Sequence, residues 1–255
     1  GIMTTHALSD TAVLTGRSLR HILRSPDTIV TTAIMPVAIM LLFVFVLGGA
    51  VDTGGTAYVD FLLPGILLIT VASGIAYTAY RVFLDVRGGI VDRLRSLPIA
   101  PASVLWGHVL TSLLANAVSL ALVIGVALLV GFRSGASPVA WLGVVGILMA
   151  YTLALTWVAV IAGLAAKTID GASAFSYPLI FLPFVSSAFA PTDTMPGPVR
   201  WFAENQPVTS LVDALRALLA QQPVGASVWI ALAWCAGILA VAWAVAVVLF
   251  RRSAR

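Results

Sequence analysis

Six long apolar stretches, separated by short polar segments, make up most of the chain. Each runs for about twenty residues or more without Asp, Glu, Lys or Arg, and they cover residues 28–49, 61–80, 102–132, 138–166, 171–190 and 226–250. About 20 apolar residues, at a helical rise of about 1.5 Å each, cross the roughly 30 Å hydrocarbon core of a bilayer. Strands of a membrane barrel would instead alternate in polarity over about ten residues. The pattern predicts an all-α membrane protein with six transmembrane helices.

The composition agrees with this pattern. Hydrophobic residues make up 60% of the chain and charged residues 9%, and the mean hydropathy is +1.06, all outside the range of soluble domains. The stretches at 102–132 and 138–166 exceed the length that a bilayer requires, so they predict tilted helices or helices that extend toward a short hairpin at 133–137. We therefore expect one transmembrane domain over residues 1–255.

The basic residues predict an orientation. With the N-terminus inside, the outer segments hold Arg133, Arg200 and Arg216, and the other eleven of the fourteen basic residues fall on the inner side. Basic residues near the ends of spans are retained in the cytoplasm, so both termini are predicted to be cytoplasmic. The net charge of +4 then indicates attraction to anionic membrane lipids rather than binding to nucleic acid.

Two charged segments lie on the predicted inner side. Residues 7–24 form an amphipathic pattern with Arg17, Arg20 and Arg24 on the polar face, which predicts an interface helix along the membrane, with an ordinary solvated helix as the alternative. Residues 81–101 form the most charged loop, in which the two glycines at 88 and 89 should break any helix. This loop is either a solvated connector or a docking element for a soluble partner.

The segment at 191–225 is predicted to lie outside the membrane. Its prolines divide two short helical patterns, 199–204 and 208–220, which are too short to span a bilayer. Re-entrant or surface-lying helices that cap the outer end of the bundle would fit them. Within the second pattern, Asp213 and Arg216 are spaced for a pairing between helix residues i and i+3.

The chain lacks the residue patterns of an enzyme. Its only lysine, Lys167, has no glycine directly before it, as a phosphate-binding P-loop would require. The three histidines are scattered, without Cys or carboxylate neighbours at the spacing of metal ligands. We therefore expect no catalytic, cofactor or metal site, and no ATPase activity in this chain itself.

The predicted spans hold few polar residues. His108 lies near the inner end of the third span and Asn116 lies deeper, where an interhelical hydrogen bond is the ordinary role. Every carboxylate falls at a loop or at the end of a span, whereas an ion-coupled carrier would be expected to keep one near mid-membrane. The fifth span is rich in aromatic residues that suit either a lipophilic substrate path or core packing, namely Phe175, Tyr177, Phe181, Phe184 and Phe189.

Three stretches resemble the ABC type-2 export permeases, particularly those of the daunorubicin-resistance type. They are residues 58–67, 85–110 and 204–219, and the resemblance extends over nearly the whole chain. The middle stretch is the most specific, because that family has an acidic residue, a glycine, an Arg-Leu pair and a Pro-Ile pair in this order. Here the matching residues are Asp85, Gly89, Arg93-Leu94 and Pro98-Ile99. The outer segment departs from the family pattern, since Gln206 stands between Asn205 and Pro207.

The resemblance implies a mechanism and a set of partners. It implies that two six-span permeases, expected to be copies of one chain, face each other in a bacterial plasma membrane. It also implies two separate ATP-binding subunits, which carry ATP and Mg²⁺ and dock on the inner loop and the N-terminal helix. The residues that would transmit the stroke are then Asp85, Gly89, Asp92, Arg93, Leu94, Arg95 and Pro98. The first, second and fifth spans would border the substrate path, with Phe175, Tyr177, Phe181 and Phe184 as lining residues.

These observations predict the permease subunit of an ATP-driven exporter for lipophilic or amphiphilic molecules. Two other classes stay open at this point. One is an ion-coupled carrier, and the other is a membrane scaffold that transports nothing.

Overall fold

The computed structural model describes residues 26–49, 57–89 and 101–252. The predicted interface helix with Arg17, Arg20 and Arg24 lies outside these residues, as does the part of the inner loop that holds Asp92, Arg93, Leu94, Arg95 and Pro98. The described residues are helical, with no strand among them. In chain order, the helices are α1 (Pro26–Leu42), α2 (Tyr58–Arg87), α3 (Pro101–Val130), α4 (Pro138–Ala165), α5 (Ile169–Ala174), α6 (Ser176–Phe181), α7 (Gly197–Asn205), α8 (Pro207–Leu219) and α9 (Ala226–Arg252).

Four described helices are long and apolar enough to cross a membrane. They comprise Tyr58–Arg87, Leu105–Val130, Pro138–Ala165 and Ala226–Phe250, and they match the second, third, fourth and sixth predicted spans. The first and fifth predicted spans correspond to shorter apolar segments, Thr32–Leu47 and Ile169–Val185. The all-α membrane architecture is therefore confirmed, while the count of six spans stays a prediction.

The fifth predicted span is interrupted, and its prolines explain where. Helix α5 ends at Ala174, and α6 begins at Ser176. Pro178 has no N–H for the carbonyl of Ala174, and its ring collides with that carbonyl in a regular α-helix. Pro183 repeats the interruption, so that α6 passes into a 3₁₀ turn at Leu182–Val185. The first span is different: α1 ends at Leu42 and continues as one π-helical turn, Phe43–Leu47.

Helix α2 occupies the centre of the bundle. It packs against α1, α3, α4, α5, α6 and α8, and 72% of its apolar window is buried inside the protein, compared with 17% for α9. The crossing of α4 over α2 is close, because a Cβ on Gly163 would lie 2.7 Å from the carbonyl oxygen of Ala79. Small residues permit such close contact between helices in membranes. The apolar windows of α3 and α9 are less buried, at 28% and 17%.

Helix α2 extends beyond its apolar window at its C-terminal end. Residues 81–87, which the sequence assigns to the inner loop, continue the helix to Arg87. Val82 and Phe83 are buried, and this packing outweighs the charges, which occupy the less buried positions of the same turns. The predicted break at the glycine pair is confirmed, because Gly89 has a φ of +68° directly after the end of the helix.

The outer segment holds the two short helices that its pattern predicts, as α7 and α8. Gln206 joins them and is nearly fully buried. Its Oε1 accepts a hydrogen bond from the backbone N–H of Val208 at 3.2 Å, which caps α8, while its Nε2 donates to the carbonyls of Leu182 and Val185 at 3.1 and 2.7 Å. The residue that departs from the family pattern thus fastens the outer helices to the end of the broken fifth segment.

Candidate functional site

A groove of about 460 Å³ lies between α1, α2, α5 and α6. Met35 and Ile180 provide apolar wall surface, and Tyr77, Tyr80 and Tyr177 combine aromatic rings with hydroxyl groups. Hydroxyls of Ser73, Ser173 and Ser176 also line it. An apolar concavity with a few polar groups is the usual chemistry of a site for a lipophilic or amphiphilic molecule.

The four predicted path residues fall into two groups. Tyr177 and Phe181 are each 61% exposed, and Tyr177 lines the groove. Phe184 instead belongs to a packed aromatic cluster, in which its ring lies 4.8 Å from that of Phe189, and Phe189 lies 5.0 Å from Phe43. Phe175 packs against the hydrophobic core. The structure thus brings Tyr177 to the groove and leaves Phe175 and Phe184 in core packing.

Asp85 is the predicted coupling residue whose surroundings are the most informative. Its Oδ2 lies 3.0 Å from Nε2 of His108 on α3. A second contact nearby joins α2 to the end of α4, because Nη2 of Arg87 donates to the carbonyl of Ala166 at 3.2 Å. Side chains near the C-terminal end of α2 therefore hold three helices together. The sequence did not predict this pair, although Asp85 and His108 flank the same loop.

The polar residues of α3 form a network with α4 that the sequence predicted only in part. Asn116 Nδ2 donates to the carbonyl of Ser112 at 3.0 Å, within its own helix. The link between the helices is made by Ser112 Oγ and Thr156 Oγ1, 3.0 Å apart. An amide side chain was expected to cross between helices, but a hydroxyl pair makes the crossing.

The N-terminal end of α2 is held by Arg216, which makes more contacts than the sequence predicted. The expected pairing with Asp213 is confirmed, with 3.7 Å between Nη1 and Oδ1. In addition, its Nη2 donates to the carbonyls of Phe61 and Ser187, both at 3.0 Å, and its guanidinium lies 4.1 Å from the centre of the Phe61 ring. Burial lowers the pKa of Arg216, and Asp213 partly offsets this effect. Arginine still remains charged at physiological pH.

The described residues hold no group of three His, Cys, Asp or Glu side chains placed to bind a metal ion. Gly89 lies beyond the end of α2, and the predicted coupling residues other than Asp85 and Gly89 lie outside the described residues. The chemistry of the described residues is thus that of a groove with partly polar walls, bordered by helices whose ends are joined by charged side chains.

Comparison with known proteins adds the family. The sequence model described as ABC-2 type transporter matches residues 9–220. The daunorubicin resistance ABC transporter permease protein DrrB1 of Streptomyces coeruleorubidus is 29% identical over 220 residues, which cover 84% of this chain and 76% of that protein. The probable doxorubicin resistance ABC transporter permease protein DrrC of Mycobacterium tuberculosis is 25% identical over 239 residues, covering 92% and 85%.

These matches confirm the resemblance to the daunorubicin-resistance permeases, and they agree with the long apolar helices of the fold. Members of this family are the membrane permease subunits of ABC transporters and not their ATPases. The chain belongs to the ABC-2 type transporter family.

Proposed function

We propose that this chain is the transmembrane permease of an ATP-driven exporter for lipophilic or amphiphilic molecules, either drugs or cell-envelope lipids. The observation that carries the proposal is the groove of about 460 Å³ between α1, α2, α5 and α6. These helices correspond to the first, second and fifth predicted spans, which the family resemblance implicates in the substrate path. The relatives' names associate them with resistance to daunorubicin and doxorubicin, which supports a cargo of this chemical class.

The proposed complex contains further subunits. Family membership implies an ABC ATP-binding subunit, and we propose two copies of it, which hold ATP and Mg²⁺ and dock on the inner loop and the interface helix. We further propose a second copy of this chain as the facing permease. Tyr177 in the groove and Phe181 on the same helix are both exposed, so a second copy that packs on these side chains would cover the groove. The complex would lie in the bacterial plasma membrane, in contact with its lipids.

The stroke would travel along α2. This helix has 30 residues, which corresponds to about 45 Å at a rise of about 1.5 Å per residue. Its inner end follows the movement of the coupling loop, and Asp85 and His108 would carry that movement to α3. Its outer end bears Phe61, against which Arg216 holds the outer helices. A rigid central helix of this length would convert closure of the ATPases into movement at both ends of the groove.

The test is co-expression with a cognate ABC ATPase, followed by purification and reconstitution. We expect an ATPase to co-purify and daunorubicin to stimulate its ATP hydrolysis. Arg93→Glu and Leu94→Ala should reduce both complex formation and stimulation, because a reversed charge and a truncated apolar side chain would weaken docking. Unchanged complex formation and hydrolysis in both variants would contradict the docking role.

Vesicles that contain the reconstituted complex also distinguish an exporter from the two other classes, an ion-coupled carrier and a membrane scaffold. Transport that continues after the proton gradient is collapsed, while ATP remains, supports the exporter and argues against an ion-coupled carrier. Absence of any substrate-dependent ATP hydrolysis would favour the scaffold. The matched control is Arg200→Glu, which changes an exposed outer arginine that bonds only to Glu204 within its own helix. It should leave docking intact.

A further inference from the structure

A small cavity with a few polar groups in its lining lies beside the groove, where α1, α2 and α3 meet. Its volume is about 30 Å³, enough for one or two water-sized groups. Gly74 and Thr78 on α2 face Thr111 and Asn116 on α3 across it. Tyr77 lines both the cavity and the large groove. A molecule in the groove is therefore adjacent to the cavity.

A polar network of Ser112, Asn116 and Thr156 lies beside the cavity, and the hydroxyl hydrogens in it already have acceptors. Thr156 donates its hydroxyl hydrogen to the carbonyl of Thr152 at 2.7 Å, so the bond between Thr156 and Ser112 uses the hydroxyl hydrogen of Ser112. Asn116 Nδ2 donates to the carbonyl of Ser112, which can only accept. This bond fixes which atom of the Asn116 amide is the oxygen. Ser112 then has no hydrogen left to donate to it.

Two buried oxygen atoms remain without partners. They are Asn116 Oδ1 and Thr111 Oγ1, in side chains that are 2% and 8% exposed. Gly74 faces the first of them, and any Cβ added there would overlap Asn116 Oδ1. An unpaired buried acceptor is unfavourable, so this arrangement favours a ligand that donates a hydrogen bond.

The charges around the cavity select a neutral donor. Arg81 and His108 also line it, while Asp85 is engaged by His108. A sodium ion or an ammonium group would face the Arg81 guanidinium without a free carboxylate in the lining. A hydroxyl group meets no such repulsion, and its size fits the cavity.

We propose that this cavity binds a hydroxyl group of the transported amphiphile, with Asn116 Oδ1 as acceptor and Thr111 Oγ1 as second partner, while the apolar part of the molecule occupies the groove. The inference rests on the proposed function and adds a specificity site on α3, a helix outside the predicted substrate path. A water molecule has the same donor chemistry, and the experiment below separates the two sources.

The experiment is photolabelling of the purified chain in lipid nanodiscs, without ATP. The two probes are 4-(hydroxymethyl)benzophenone and 4-methylbenzophenone, which differ by one oxygen atom. The hydroxyl probe should label the peptides of α2 and α3 that border the cavity at a lower concentration than the methyl probe. The concentration that gives equal labelling should be about fivefold lower, because the hydroxyl probe makes one additional hydrogen bond. Mass spectrometry locates and quantifies the labels.

Asn116→Leu removes the acceptor at nearly constant shape, so the preference for the hydroxyl probe should disappear while labelling by the methyl probe stays the same. Asn205→Leu is the matched control, because the Asn205 amide bonds to Trp201 within the outer helix α7, and it should keep the preference. If Asn116→Leu fails to fold, Thr111→Val provides a second variant of nearly equal volume, which should reduce the preference.

A preference that persists in Asn116→Leu and Thr111→Val would overturn the proposal. So would equal labelling by both probes in the unmodified protein, since water alone would then satisfy the acceptor. Labelling requires neither ATP nor an ATPase. Failure of this test therefore leaves the exporter proposal intact, and failure of ATP-driven transport leaves the labelling result interpretable.

Discussion

At the scale of single residues, Arg216 makes several contacts with residues that are distant in the sequence. Its position in the sequence does not indicate them. It is placed to pair with Asp213 one turn away, yet its main acceptors are backbone carbonyls of α2 and of the turn after the 3₁₀ segment. Backbone carbonyls carry no signature in the sequence, so a partner 155 positions away could not be predicted. Its guanidinium both donates hydrogen bonds and lies over the Phe61 ring, a combination that lysine cannot reproduce.

We therefore predict that Arg216→Met destabilises the protein by about 2–4 kcal/mol, because hydrogen bonds from a charged group are lost and buried carbonyls lose their donor. Arg216→Lys should recover only part of this loss. The measurement is thermal unfolding of the purified protein in detergent.

Arg200→Met is the control for this comparison. Its ion pair with Glu204 is exposed on α7, and solvent screening leaves such exposed pairs with little effect on stability. If Arg216→Met and Arg200→Met lower the unfolding temperature equally, the anchoring role assigned to Arg216 is wrong.

At the scale of helices, close approach and end-to-end contacts determine the arrangement. Gly163 allows α4 to lie against α2, with the Ala79 carbonyl and the Val82 side chain where a Cβ would stand. Apolar windows locate the helices along the chain but do not show which of their faces meet. Glycines are frequent in membrane helices, and only the packed structure distinguishes Gly163 from Gly146 in the same helix, where a Cβ would meet nothing within 4 Å.

Gly163→Ala is expected to destabilise the protein by about 1–3 kcal/mol, since a methyl group at this crossing forces α2 and α4 apart. Gly146→Ala should leave stability unchanged or raise it by up to about 1 kcal/mol through helix propensity. Unfolding in detergent compares the two variants directly. Equal effects would show that the crossing tolerates a wider separation.

The contact between Asp85 and His108 gives a second prediction at this scale. Asp85→Asn removes the charge that joins α2 to α3, so it should lower substrate-stimulated ATP hydrolysis about three- to tenfold. Binding of the ATPase should be unaffected, in contrast to Arg93→Glu, because Asp85 lies on α2 and contacts α3. Asp170→Asn, an exposed carboxylate in the first turn of α5, is the matched control. Loss of ATPase binding in Asp85→Asn would instead make Asp85 a docking residue.

At the scale of the whole molecule, the contacts at the two ends of the bundle agree with the predicted alternation of its loops. Near one end, the backbone N–H of Arg133 donates to Asp60 at 3.3 Å, and Ser134 donates to the carbonyl of Leu219 at 2.9 Å. Near the other end, Arg87 bonds to Ala166. The hairpin and the outer helices thus lie together at the N-terminal ends of α2 and α4, away from the C-terminal ends of these two helices. Which end faces the cytoplasm rests on the distribution of basic residues.

Single-cysteine labelling tests that orientation. Cys235 is the only cysteine in the chain, so Cys235→Ala provides a background without thiols. Gly135→Cys, in the hairpin, should react with a membrane-impermeant maleimide added to intact cells, and Lys167→Cys should react only after the cells are opened. The reverse pattern would invert the predicted topology.

The sequence alone determined the class of fold, the positions of the four long helices and the two short outer helices. These features follow from local hydrophobicity and from prolines and glycines, which act within a few residues. The sequence also indicated the family, because the pattern from Asp85 to Pro98 lies within one short stretch of the chain. The end of α2 was misplaced, since buried Val82 and Phe83 outweigh neighbouring charges only when the rest of the bundle is present.

The tertiary structure alone decided what the polar and aromatic residues do. It divided the aromatic residues of the fifth segment between the groove and the core, joined Asp85 to His108, and left Asn116 Oδ1 as a buried acceptor without a partner. Apolar windows contain no information on the rotation of one helix against another. In lipid, where both faces of a helix can be apolar, that rotation is set by contacts between distant residues.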